Sequence, residues 1–147
     1  MKFKTLSKIF IAGSVTFLVG CGANKGIVKF NIKDAQKDMP ATVSSQFNDF
    51  NFYFDEVPSG AKELGTITTS NRTNAAFKNA QSPCYWVFYS ALIDLKKQAQ
   101  ERGGNAVGNI VSNWQNVETP SKTDYVCASG ALMAGVALKG EVLKVEK

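Results

Sequence analysis

The spacing of apolar residues changes several times along the chain, and each change predicts a different element. Residues 9–18 are apolar except for Gly13, Ser14 and Thr16, and the eight residues before them carry Lys2, Lys4 and Lys8 with no acid. This is the pattern of a signal peptide, and it is shorter than the roughly 20 apolar residues a membrane-spanning helix needs. Residues 27–32 read as a first strand, and polar residues 33–39 as one or two helical turns ending before Pro40. Residues 41–49 read as loop. Phe-Asn-Phe-Tyr-Phe-Asp-Glu-Val, residues 50–57, alternates enough for a strand with one buried face, and Pro58-Ser59-Gly60 then turns the chain. A further strand is expected over 64–69, and a polar loop over 70–82.

A period near 3.6 governs residues 83–102. Phe88, Leu92, Leu95 and Ala99 recur at spacings of four, three and four, with Trp86, Val87, Ala91 and Ile93 widening the apolar face of the first half. Ser82 offers a capping oxygen, Pro83 suits the first helical position, and Gly103-Gly104 permits a left-handed stop after Arg102. This predicts a long helix, buried more deeply in its N-terminal half. Residues 106–114 then suit a strand, and a polar turn holds Pro120. Residues 125–138 form a strand rich in Ala, Gly and Ser, and residues 141–145 a last strand after Lys139-Gly140 breaks the pattern. The small side chains of 128–138 predict either close core packing or a ligand groove.

Composition narrows the function more than the fold. The chain has 147 residues, 44% hydrophobic and 20% charged, which suits one domain with its own apolar core. The formal charge of +5 falls to +2 once the three leader lysines are removed, leaving 14 basic against 12 acidic residues. That balance supplies no basic stripe for nucleic acid. No His is present, which removes the commonest general base and the commonest metal ligand. Ser44, Ser45 and Ser129 therefore have no His to activate them. Asp55-Glu56, the adjacent acids on an aromatic strand, read as a solvated strand end because no second polar cluster joins them in sequence. No catalytic residue, cofactor or metal site is expected.

Leu18-Val19-Gly20-Cys21 resembles the lipobox of bacterial lipoproteins. The resemblance implies that residues 1–20 are removed and that Cys21 becomes an amino terminus bearing acyl chains, a thioether to diacylglycerol requiring its thiol. Three chains would anchor the protein stably. Gly22 in place of Asp implies, by likeness to enteric lipoproteins, the outer membrane. Residues 21–26 would form a short tether, holding a single domain, 27–147, close to the bilayer in the periplasm. Two cysteines remain. Cys84 and Cys127 form an even pair in an exported chain, which predicts one structural disulfide. A redox motif would place a second Cys two or three residues away, and a zinc site needs about four ligands.

The run Leu64-Gly65-Thr66-Ile67, the helix after Cys84, the junction Gly103-Gly104-Asn105-Ala106-Val107, then Cys127 and Gly130-Ala131 through Ala137, is similar to the RcsF and YbjQ-like group of small bacterial envelope proteins. The likeness covers residues 62–145 and extends to a branch often labelled excinuclease ATPase subunit. It implies an α+β domain with a single mostly antiparallel sheet and one long helix packed on one face, and the order of elements above agrees, with a short N-terminal helix added. By the same resemblance, the chain would act without catalysis through envelope protein partners, in stress sensing, assembly or a structural role. YbjQ-like relatives imply the alternative, a small-ligand or metal-binding module that forms oligomers. The chain departs from RcsF in lacking a proline-rich linker and in having two domain cysteines and not four. It also lacks the Gly-x-x-x-x-Gly-Lys-Ser/Thr loop that an ATPase uses to cradle phosphates, so the excinuclease activity is rejected.

Overall fold

A computed structural model describes residues 26–147. The expected leader 1–20, Cys21 and the expected tether up to residue 25 lie outside the described residues. The chain runs through β1 (Ile27–Asn31), α1 (Ile32–Lys37), α2 (Ala41–Ser44), β2 (Asn51–Phe54), β3 (Lys62–Asn74), α3 (Gln81–Glu101), β4 (Ala106–Ser112), β5 (Asp124–Ser129) and β6 (Met133–Lys144). Single 3₁₀ turns follow α2, at Ser45–Phe47, and β4, at Trp114–Asn116. The fold is α+β: a curled, mostly antiparallel sheet, one long helix and short N-terminal helices.

Strand β6 organises the sheet. One of its sides pairs with β3 from Asn74↔Met133 to Lys62↔Lys144. Its other side is shared, because β5 pairs with Ala134 and Gly135 while β4 pairs further along, up to Leu143. The sheet therefore forks into β5–β1 and β4–β2, the second of these being parallel. Ser112 bridges the fork: its buried hydroxyl accepts from Val126 N at 2.8 Å, and the next residue's amide donates to Ala137 O at 2.8 Å.

Four sequence expectations change here. The small-residue stretch 125–138 is two strands, β5 and the start of β6, folded at residues 130–132 where Gly130 N donates to Met133 O. Lys139-Gly140 does not interrupt β6. At Gly140 a β-carbon would sit 2.6 Å from Val107 Cγ1 and 3.2 Å from Gly108 O, so the missing side chain lets β4 cross close where it bulges between Gly108 and Val111. The polar loop expected over 70–82 begins instead as strand. Ser70 to Asn74 continue β3 along β6, with Asn71 turned to the helix, where its amide donates to Asp94 Oδ2 at 2.6 Å. Residues 41–49, expected as loop, form α2 and a 3₁₀ turn that bury Val43, with Phe47 packed edge-on against Phe52.

The long helix matches its predicted core face. Cys84, Val87, Phe88, Ala91, Leu92, Leu95 and Ala99 are buried against Ile67, Val136, Leu138 and Val142 of the sheet. It starts two residues before Pro83; its N-cap position is Ala80, which has no capping side chain, and just ahead of it Asn79 Oδ1 accepts from Ser82 N at 3.1 Å. Its end is the predicted glycine stop: Gly103 has φ +80°, and the amides of Gly103 and Gly104 donate to Gln100 O and Ala99 O. Gln98 and Arg102 donate to Thr68 O and Thr66 O, which blunts part of β3's outer edge.

Cys84 and Cys127 are bonded, both fully buried, with Cα atoms 5.9 Å apart. Beside them Phe88 stacks on Tyr125 with ring centroids 4.0 Å apart, and the Tyr125 hydroxyl donates to Cys84 O at 3.0 Å. The bridge closes a loop with a sequence separation of 43. Replacing both cysteines by Ser should therefore lower the unfolding free energy by about 4 kcal/mol from loop-closure entropy. A urea titration of both chains checks this; coincident midpoints would mean that the ring stack alone holds the helix to β5.

Candidate functional site

The structure disperses the acids that the sequence singled out. Asp55 ends β2 with φ +50°, and its amide donates to Ile110 O, while Glu56 forms an exposed ion pair with Lys122 at 3.7 Å. The two are a strand end tied to β4. Across β3 and β6, Glu63 is raised above the ordinary carboxylate range, first by the facing Glu141 charge and then by a hydrogen bond to it, but it is fully exposed. Among the described residues no group of three or more His, Cys, Asp or Glu is placed to hold a metal ion. Cys84 and Cys127 are consumed by their bridge, and Cys21 lies outside the described residues.

The chain itself fills the small-residue stripe in part, beside a cavity of about 340 Å³ lined by Ala128, Ser129, Gly130, Met133 and Ala134. A β-carbon on Gly135 would lie 2.5 Å from the ring of Trp114, which lies over that glycine from the turn after β4. Arg72, paired with Gly135 across the sheet, places its guanidinium 5.8 Å from the Trp114 ring centroid. Close packing thus accounts for Gly135 and Gly140. The hydroxyl of Ser129 is buried without a hydrogen-bond partner among the described residues.

A different site is built on the first turns of α3. Tyr85, Trp86 and Tyr89 project from the helix around a cleft of about 360 Å³. Asn79, Gln81 and Ser82 from the helix start line it, with Asp38 and Pro40 from the end of α1 and the start of α2. Local sequence dictates this meeting. Asn31 caps α1, its Oδ1 accepting from Asp34 N, and Ile32 and Ala35 bury the inner side, so the helix end is delivered to α3. There the Tyr89 hydroxyl donates to Ala35 O at 2.6 Å. Tyr85 is held edge-on to Phe30, centroids 5.7 Å apart, and Trp86 is edge-on to Tyr89 at 5.8 Å. Trp86 remains 49% exposed.

The cleft's one ionic lining group is Asp38, and three aromatic rings with fixed orientations surround it. Such rings offer large apolar area with polar rims, and their faces attract cations. Nothing here pairs a nucleophile with a base. The sequence placed Trp86 on the core face, and the structure corrects this: the core stripe runs through Cys84, Val87, Phe88 and Ala91, leaving Trp86 on the flank. The available signal was the excess of aromatics in Tyr-Trp-Val-Phe-Tyr, more than one helical stripe can bury.

Burial, followed by the nearby Asp38 charge, pushes the Tyr89 phenol up to about 12 from its ordinary value of 10. Burial also raises Tyr85 and, much more strongly, Tyr125. A phenol whose folded value exceeds its unfolded one stabilises the fold fully below pH 10, and that contribution is lost as pH rises towards and through the folded value. The unfolding free energy should therefore decline above pH 10, and phenolate absorbance should show Tyr89 and Tyr125 ionising late or only with unfolding. Tyr89 and Tyr125 titrating near 10 in native protein would contradict this.

Compared with protein-family models, with curated proteins and with solved structures, the chain matches none.

Proposed function

We propose that the chain is a lipid-anchored, non-catalytic protein of the bacterial envelope that works by binding a protein partner, with the aromatic cleft as the contact site. The observation that carries this reading is Trp86, half-exposed on a rigid helix beside Tyr85, Tyr89 and Asp38. Exposed Trp and Tyr around a pocket are the side chains that dominate binding energy at protein interfaces. Asp38 and the ring faces suit a partner segment presenting Lys or Arg together with apolar side chains. We read the fold as one sheet closed on a single face by the long helix, so that α3 serves as the platform for the site.

Anchoring is read from Cys21 and the residues before it, and an oxidising compartment agrees with the Cys84–Cys127 bridge. No helix among the described residues is long and apolar enough to cross a membrane. The periplasmic face of the outer membrane, implied by Gly22, is the proposed location. Cells fed labelled palmitate should incorporate it into the natural chain, and Cys21→Ser should abolish the label and release the protein from membranes. Label persisting in Cys21→Ser would defeat the anchor.

Partner binding has its own test. A photo-crosslinking residue placed at position 86 in living cells should capture a discrete partner band, absent when the probe is at position 57 and weakened by Asp38→Asn. Equal patterns from both positions, unaffected by Asp38→Asn, would defeat the cleft as a contact site.

A further inference from the structure

Three segments meet at the end of the molecule where the described residues begin. Gly26 O accepts from Ser129 N at 2.8 Å, and Ile27 pairs with Ala128. Asn74 pairs with Met133, and Ala75 N donates to Leu132 O at 2.8 Å. These bonds gather the start of β1, the β5–β6 turn and the loop leaving β3 into one surface. Seven large apolar side chains are exposed among the described residues, and four of them are here: Ile27, Phe77, Leu132 and Met133. Leu132 is 70% exposed, and Phe77 is fully so. Phe77 also holds a left-handed backbone, φ +60°, which is unusual for a bulky residue and is not repaid by any burial of its ring.

Charge at this end has one sign. Residues 26–30 contain Lys29, residues 70–80 contain Arg72 and Lys78, and residues 128–134 contain no charge; none of the three segments contains Asp or Glu. An apolar tip collared by cations matches the layered chemistry of a bilayer surface, where acyl chains lie under anionic phosphates. The position of the tip agrees. Cys21 stands five residues before Gly26, so even a fully extended chain reaches only about 17 Å from the attachment point to the patch.

We propose that this end is a lipid-contacting tip: Ile27, Phe77, Leu132 and Met133 enter the boundary between headgroups and acyl chains of the membrane that carries the anchor, with the neighbouring Lys and Arg against lipid phosphates. The inference rests on the lipid-anchored reading above and adds an orientation to it. The domain stands on this tip, and the aromatic cleft, whose Asn79 lies two residues beyond Phe77, opens beside the membrane surface.

The test uses the full chain purified from membranes and returned to vesicles of phosphatidylethanolamine and phosphatidylglycerol. Phe77→Trp, Leu132→Trp and Val57→Trp are made one at a time, Val57 being an exposed apolar residue that follows the end of β2, beside the β4 bulge and away from the tip segments. Emission of the unsubstituted chain, from Trp86 and Trp114, is subtracted. Lipids brominated on their acyl chains should quench the added Trp by at least about half at 77 and 132, as expected for side chains at the acyl boundary, and leave position 57 unaffected. Palmitate labelling of the same samples reads the anchor separately. Labelled protein with no quenching at 77 and 132 overturns the tip and leaves the anchor standing, and unlabelled protein overturns both. Emission that shifts with protein concentration and not with lipid bromination would assign the patch to a second copy of the chain and overturn the proposal.

Discussion

The first turn of α3 is fixed to β5 by one covalent bond and one ring stack, and most of the molecule's organisation follows from that attachment. Cys84 and Cys127 set the helix depth, while Tyr125, lying on Phe88 and bonded to the carbonyl of Cys84, sets its rotation. With depth and rotation fixed, Val87, Ala91, Leu95 and Ala99 have to face the sheet, and Tyr85 and Trp86 have to face away from the disulfide. The cleft is thus a consequence of the same constraint that closes the core. A Trp half in water on a mobile helix would lose ordering entropy on every encounter with a partner, whereas one on a stapled helix has already lost it.

The second constraint is geometric and belongs to β6. A twelve-residue strand that pairs along one side with β3 and is shared by two strands on the other cannot carry uniform side chains. Where Trp114 lies across it the residue is Gly135, and where the β4 bulge approaches it the residue is Gly140. Each glycine answers to a different neighbour. Substituting Ala would force the Trp114 ring to move at Gly135 and the Val107 side chain to move at Gly140, each in a close-packed region.

This explains which parts of the fold were legible in the sequence. Helix α3 announced itself because its 3.6-residue period and its glycine stop are local signals, and the Cys84–Cys127 pair because parity and an exported chain suffice to suggest it. Strands β3 and β6 were cut short in the reading because their continuity is enforced from outside. Ser70 to Asn74 remain extended because β6 pairs with them and Asp94 receives Asn71, and Gly140 stays in line because Val107 and Ile110 cover it. Residues 41–49 looked like loop because a single buried Val43 and a turn of Phe47 onto Phe52 leave no periodic trace. The cleft was hidden for a related reason. Asp38 and Tyr89 are 51 positions apart, and only the docking of α1 against α3 brings them together.

The two surfaces left over by this packing differ in kind, and the difference bears on how they would cooperate. The cleft is acidic and aromatic, with one carboxylate beneath oriented rings, and suits a shaped, cationic side chain. The tip is apolar and collared by cations, with flexible side chains such as Met133 and Leu132, and suits a fluid phase more than a folded partner. Because residues 75–80 join the end of β3 to the start of α3, the same short loop that carries Phe77 also carries Asn79, whose side-chain oxygen accepts from Ser82 N in the first turn of the stapled helix. On the proposed reading, contact of that loop with lipid and occupancy of the cleft act on one backbone segment. A partner reaching the cleft would have to approach along the membrane plane, which selects proteins that are themselves held at the bilayer.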